Sequence, residues 1–261
     1  MIKFFRKIRY DLMGENPTSA NASAGAKTGK YLKYAIGEII LVMIGILLAL
    51  QVNNWNESRK ERVQEIKLYE NLLVSLSADS RDVVIFSGLI SAGMEAQKFF
   101  ISNSYQKLIE NYTIQQLEDS LKSTGQIGAS FFPRYSAYNQ LSNSGFQALL
   151  QSEEIKSKLL ELYDRRYKRY LHIDASIDEK SEFHLKPIIK GDLQIFNDRN
   201  NIQPASVFDI KKFESFYPEL VREFSSVLST AGNALDSLRN CQEAIHELLS
   251  LIRDELEHLK N

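Results

Sequence analysis

One apolar run dominates the hydropathy of this chain. Ile39 through Leu50 is apolar at every position, and Tyr34 to Val52 is nearly so. Those 19 residues, at ~1.5 Å each, would span ~28 Å, about the thickness of a bilayer's hydrocarbon core. The pattern predicts a single transmembrane helix that occupies residues 31–55 with its interfaces. Leu, Ile and Val fill most of its centre, each favouring insertion by roughly 0.3 to 0.6 kcal/mol, which outweighs one carboxylate near an end. Tyr31, Tyr34 and Trp55 flank the run as interfacial aromatic residues do. The exit sequence Ala49-Leu50-Gln51-Val52-Asn53 offers no small-x-small cleavage site, so an uncleaved anchor is expected in place of a signal peptide.

Beyond the run the periodicity is helical. No Gly or Pro falls between Gly45 and Gly88, so the spanning helix is expected to continue as a stalk. Its Val63, Ile66, Tyr69, Leu72, Leu73, Leu76, Val83 and Phe86 form a stripe suited to packing against other helices. Thr113 followed by Gln116 predicts a boxed helix start. Gly125, Gly128 and Pro133 mark Ser123 to Arg134 as a loop, and Ser144-Gly145 marks a turn between two short helical pieces. Ser152, ahead of Glu153 and Glu154, predicts a longer helix running toward Leu185 and stopped by Pro187. In the C-terminal segment Leu228, Leu235, Gln242, Leu249 and Leu256 recur every seven residues, interleaved with Ala231, Leu238, Ile245, Ile252 and Leu259. That is a coiled-coil seam with one polar member, Gln242. Only Ile188 to Phe196 is ambiguous between helix and strand.

Charge orients the run. Lys3, Arg6, Lys7, Arg9, Lys27, Lys30 and Lys33 precede it against only Asp11 and Glu15. After it Arg59, Lys60, Arg62 and Lys67 alternate with Glu57, Glu61 and Glu65. The positive-inside rule therefore puts the N-terminal side in the cytoplasm and the C-terminal domain outside, which is the periplasm, with the span in the inner membrane, if the cell is Gram-negative. Residues 1–13 interleave Ile2, Phe5, Ile8 and Leu12 with basic residues, which predicts an amphipathic arm on the cytoplasmic leaflet. Residues 14–30 are mostly small and are expected to form a flexible, disordered linker. The fold class expected is all-α: a single transmembrane helix continuing into an elongated periplasmic antiparallel helical bundle over residues 56–261, large enough to bury its own core.

Candidate chemistry is sparse. Glu38 is an ionisable group in a membrane helix, which makes it a functional candidate, although its shallow position lets it snorkel to the interface. Gly37, Gly45 and Ala49 lie along one stripe, and Gly45-x-x-x-Ala49 permits close helix association. His246-Glu247 begins like a zinc-protease helix, but Ser250 stands where the second histidine is needed. Glu243-x-x-His246 and Glu255-x-x-His258 have di-iron spacing, yet both sit on one helix, whereas that chemistry needs two. They read as solvated surface residues, and no metal or other cofactor is expected. Ser142-Asn143-Ser144-Gly145 lacks a nucleophile elbow's leading glycine, and no phosphate-cradling Gly-rich loop is present. No enzyme is expected. Arg165, Arg166, Lys168 and Arg169 alternate with Tyr163, Tyr167 and Tyr170, but the tyrosines share one helical face, so a core stripe backed by a solvated face explains them. The formal net charge of −1 gives no general attraction to nucleic acid. Cys241 is the only cysteine, which excludes an intramolecular disulfide and leaves the compartment open.

Met1-Ile-Lys-Phe-Phe-Arg-Lys-Ile-Arg9, followed by Tyr34-Ala-Ile-Gly-Glu-Ile-Ile-Leu-Val-Met-Ile-Gly-Ile-Leu-Leu-Ala-Leu-Gln-Val-Asn-Asn-Trp-Asn-Glu57, resembles an uncharacterised family of single-pass membrane proteins from Gram-negative bacteria, a domain of unknown function. Tyr138-Asn-Gln-Leu-Ser-Asn-Ser-Gly145 is similar to that family's helix-breaking segment. The resemblance implies a membrane address and a helical outer domain, and brings no activity, substrate or catalytic residue. The function expected is a membrane-anchored scaffold or interaction module. The alternative is an accessory subunit of a proton-coupled envelope machine that exchanges protons at Glu38. Expected partners are the lipid bilayer, a second copy of the chain through the transmembrane helix and stalk, and an unidentified envelope protein.

Overall fold

The computed structural model describes residues 24–143, 150–195 and 208–261, with side chains at 35–141, 150–195 and 208–261. The basic arm of residues 1–13, Tyr31, Tyr34 and the Ser144-Gly145 turn have no side-chain description, and the arm and turn lie outside the described residues altogether. All regular structure among the described residues is helical. Helix α1 spans Ala24–Ile101, α2 Tyr105–Asn111, α3 Ile114–Thr124, α4 Ser136–Asn143, α5 Glu153–Leu160, α6 Tyr167–Lys180 and α7 Ile210–Lys260. A 3₁₀ turn at Gly125–Gly128 follows α3. The described part of the ambiguous stretch from Ile188 is helical through Asp192 and forms no strand.

The chain divides into two units, Met1–Lys60 and Glu61–Asn261. In the first, α1 begins at Ala24, inside the stretch expected to be linker. Ala24 and Ala26 favour helix, and they outweigh Gly25 and Gly29. Every described side chain from Ala35 to Lys60 is exposed. This helix alone, among the described residues, is long and apolar enough to cross a membrane.

In the second unit α1 carries a seam with alternating steps of four and three: Glu65, Tyr69, Leu72, Leu76, Asp79, Val83, Phe86, Ile90, Gly93, Gln97 and Phe100. All are buried except half-buried Phe86. Of the stripe expected from sequence, Val63 is the member that fails, being 61% exposed. It sits two residues before the seam's first member and off its face.

Cross-helix contacts fix the directions. Arg62 bonds the Leu259 carbonyl, Gln242 bonds Ser80, and Phe100 meets Phe213 and Phe224 in edge and tilted contacts. Helix α7 therefore runs antiparallel to α1. It is antiparallel also to the helical segment from Glu153 onward, because Lys158 pairs with Glu247 and Lys180 bonds the Ser226 carbonyl.

Two predicted cap sites hold. Thr113 and Gln116 make a reciprocal capping box, and Ser152 accepts from the Ile155 amide. Helix α2, capped by Ser104, is an element the apolar pattern did not announce. Pro187 does not stop its helix. Helical structure continues to Asp192 through three π-helical turns, at Glu161–Arg166, Ser181–Leu185 and Pro187–Asp192. A wide turn that begins at proline needs no amide donor from it and relieves the ring's clash with the preceding turn. In α7 the buried rows are Ala231, Leu238, Ile245 and Ile252 with Val227, Ala234, Cys241 and Leu248. Of the other expected row, Leu228, Leu235 and Gln242 sit one residue aside, half-buried at the core's edge, while Leu249 and Leu256 are buried.

Helix α1 ends without a glycine cap. The Ser102 amide bonds the Lys98 carbonyl, Asn103 Nδ2 bonds that of Phe99, and Tyr217 donates its hydroxyl to the Phe100 carbonyl at 2.6 Å. The free carbonyls of the last turn are satisfied by side chains from a distant helix as well as from the turn itself.

Candidate functional site

The residues singled out for the membrane helix have no protein neighbours. Glu38 and Ala49 are exposed, and a Cβ placed on Gly37 or Gly45 would meet nothing within 4 Å. Their stripe is an open surface, and among the described residues no ion pair reaches Glu38. The histidine-bearing positions of α7 are also solvated: Glu243, His246 and His258 are exposed, and no cluster of three or more metal-ligating side chains exists among the described residues. Tyr163, Tyr167 and Tyr170 are entirely buried, while Arg165, Lys168 and Arg169 face outward, so the core stripe expected from their spacing is present.

What the spacing did not reveal is the polar chemistry those tyrosines reach. Asp79, on the α1 seam, is completely buried. Its Oδ1 accepts from Arg134 Nη1 at 2.8 Å, and both oxygens accept from the Arg134 amide at 3.3 Å. Tyr167 donates to Oδ2 at 2.9 Å. Arg134 Nη1 reaches Asp82 as well, also at 2.8 Å. Tyr163 donates to the Arg134 carbonyl at 3.3 Å. Burial pushes the Asp79 carboxyl above the ordinary carboxylate range, against the pull of its Arg134 and Tyr167 hydrogen bonds. The Tyr167 hydroxyl is pushed far up, by burial first and then by the neighbouring Asp79 charge, so it remains a donor.

Two further braces repeat the design. Tyr170 accepts from the Phe131 amide and donates to buried Asp174. Glu65, buried on the same seam as Asp79, accepts from the Gln151 amide at 2.9 Å. Each brace ties an irregular connection to a helix by giving its backbone a buried carboxylate or hydroxyl partner. An unpaired amide there would be costly. Tyr138 stacks on Tyr163 at 4.3 Å and donates to Asp164. The Cys241 thiol lies against this region in α7; burial raises its pKa to about 12, which keeps it protonated and unreactive.

The sequence carried a signal for these groups. Glu65, Asp79 and Gln97 fall on the seam positions that Leu72, Leu76 and Ile90 define, and a charge at such a position is either an error of register or a buried brace. Both oxygens of Asp79 are held by protein donors out of contact with solvent. The arrangement fixes the loop before α4 against α1 and α6, and it presents no free nucleophile or base.

Fold and site together define an all-α chain in which one bare apolar helix accompanies a helical core braced by buried carboxylates. Residues 38–196 match a family of unknown function (DUF6090), which is more than half of the chain, and the protein belongs to that family. Asp79, Arg134 and Tyr167 all lie within the matched residues. No curated protein and no solved structure matches the chain.

Proposed function

We propose that this protein is a single-pass, membrane-anchored scaffold whose helical outer domain serves as an interaction module. The observation that carries the reading is the helix surface from Ile36 to Val52. Its Leu, Ile, Val and Met side chains are exposed all round, with nothing in the structure to cover them. Bare apolar surface of that extent is unfavourable in water at about 25 cal/mol per Å², and lipid removes the cost. The basic excess before the span supports a cytoplasmic N-terminus and a periplasmic C-terminal domain in the inner membrane. The buried braces support a rigid module, because each connection they hold is pinned to the core.

Two measurements test the anchor. Full-length protein is expected to stay with membrane vesicles through an alkaline carbonate wash. A C-terminal alkaline phosphatase fusion is expected to be active where a C-terminal green fluorescent protein fusion is dark. Release by carbonate would remove the anchor, and the reverse pair of reporter signals would place the domain in the cytosol. Photocrosslinkers on the exposed faces of the bundle, followed by identification of what is captured, would then supply the partner.

A further inference from the structure

One shallow groove of the second unit has a composition that core packing does not require. It is lined by Ser77, Ser80 and Arg81 of α1 and by His246, Leu249 and Arg253 of α7. Most described arginines elsewhere in the unit are engaged: Arg62 with a carbonyl, Arg134 with Asp79 and Asp82, Arg165 and Arg166 with Glu161, Arg222 and Arg239 with neighbouring carboxylates. Arg81, Arg169 and Arg253 have no such partner among the described residues, and two of those three line this groove, from antiparallel helices. No ion pair joins either arginine to a described acidic side chain, and Asp82, next to Arg81, is paired with Arg134. Glu247 is paired with Lys158 and Glu70 with Lys260, while Glu243 and Glu257 are exposed and pair with neither arginine.

The Ser80 hydroxyl and the His246 ring beside the arginines are held in place. Gln242 Nε2 donates to Ser80 Oγ at 2.8 Å and lies 2.8 Å from His246 Nε2, fixing both at the groove's edge. Leu249, almost fully buried, gives the floor an apolar wall. Two guanidinium forks, two hydroxyls and an imidazole around a concavity match an anion with several acceptor oxygens.

We propose that this groove binds a phosphoryl anion, either inorganic phosphate or a phosphomonoester headgroup, clamped between Arg81 and Arg253 with Ser77 and Ser80 donating to it. The site goes beyond the scaffold reading and does not depend on the anchor, since every residue in it belongs to the second unit. Calorimetric titration of the full chain in a maltoside detergent, which carries no phosphate, tests it. Inorganic phosphate is compared with chloride at matched ionic strength, and short-chain phosphatidic acid is titrated separately.

Saturable binding is expected with one of the two phosphates and not with chloride. Arg81→Gln and Arg253→Gln should each weaken it by ~10-fold or more, the usual worth of a charge-assisted hydrogen bond. Arg169→Gln, which removes the unpaired arginine outside the groove, should leave it unchanged. Both groove arginines are exposed, so circular dichroism should show the parent's helicity, and Arg→Lys at either position should recover part of the affinity. Saturation by inorganic phosphate identifies a free anion. Saturation by phosphatidic acid alone, with the same variant pattern, identifies a lipid headgroup. No saturable heat with either, or equal weakening by Arg169→Gln, overturns the site.

Discussion

Tyr167 donates its hydroxyl to Asp79 Oδ2 at 2.9 Å, joining positions 88 apart in sequence inside a core that admits no solvent to either group. Asp79→Ala would strand the Tyr167 hydroxyl, the Arg134 amide and one face of its guanidinium. Leaving a buried donor unsatisfied costs about 1 to 3 kcal/mol, while the partly exposed guanidinium keeps water and Asp82. Tyr167→Phe removes a single hydrogen bond and keeps the ring's packing, and should cost about 1 to 2 kcal/mol. Urea unfolding of the full chain in detergent, followed by circular dichroism, should rank parent, Tyr167→Phe and Asp79→Ala in that order. Equal midpoints would show that the network contributes nothing.

The same carboxylate sets a pH dependence. Burial is the largest influence on Asp79 and raises its carboxyl above the ordinary value of about 3.9. A folded-state value above the unfolded one means that the folded protein holds the proton more tightly. The resulting stability is complete below the unfolded value and is lost as pH rises through the folded one. Asp174, also raised by burial, has the same sign. Asp164, lowered by Lys168 and Tyr138, has the opposite sign and loses its contribution as pH falls. Asp79→Asn removes one of these dependences and leaves the others. The stability of the parent minus that of Asp79→Asn should therefore fall as pH rises above the ordinary carboxylate value of about 3.9. A constant or rising difference would mean that Arg134 and Tyr167 outweigh burial.

Legibility followed the physics of each element. The apolar run, the Thr113–Gln116 box, the Ser152 cap and the tyrosine stripe are local patterns, and the sequence displays them directly. The α7 register is harder. Two heptad rows were visible, but a helix packed between two neighbours buries a wider face than a two-helix seam. The row through Cys241 therefore takes the core up to Leu248, leaving Leu228, Leu235 and Gln242 at its edge, while Leu249 and Leu256 of the expected row are buried. Asp79 and Glu65 fall on seam positions in the sequence, but their partners, Arg134 and the Gln151 amide, come from distant loops that local pattern does not reveal. The continuation past Pro187 depends on a π turn, which leaves no mark in composition. Tyr217, on the carbonyl of Phe100, replaces a glycine cap that local sequence would have announced.

Glu38 separates the scaffold from a proton-coupled subunit. The structure gives its carboxylate no protein partner, so Glu38→Gln should leave the unfolding midpoint of the bundle unchanged. Membrane retention and the set of crosslinked partners should also match the parent, since on the scaffold reading the substitution removes one charge from an exposed helix surface and nothing else. Normal assembly combined with loss of a growth phenotype that depends on the proton-motive force would replace the scaffold reading with the proton-coupled one.

Two glycines five positions apart on α1 make opposite predictions. At Gly93 an added Cβ would lie 2.3 Å from the Ile127 amide nitrogen and 2.9 Å from its Cα, both of them backbone atoms. The 3₁₀ turn after α3 rests on α1 at this point, and Gln97, one turn further along, donates to the Thr124 carbonyl at 3.5 Å. Gly93→Ala must push that turn away, so the overpacking cost of about 1 to 3 kcal/mol should exceed the gain in helix propensity. At Gly88 an added Cβ meets nothing within 4 Å. Gly88→Ala should therefore stabilise by about 0.5 to 1 kcal/mol, because alanine loses less backbone freedom in a helix. The pair is measured by urea midpoints of the full chain. A drop at Gly93 with a rise at Gly88 confirms the close approach of the turn to α1. Stabilisation at both positions would mean that the turn does not sit there.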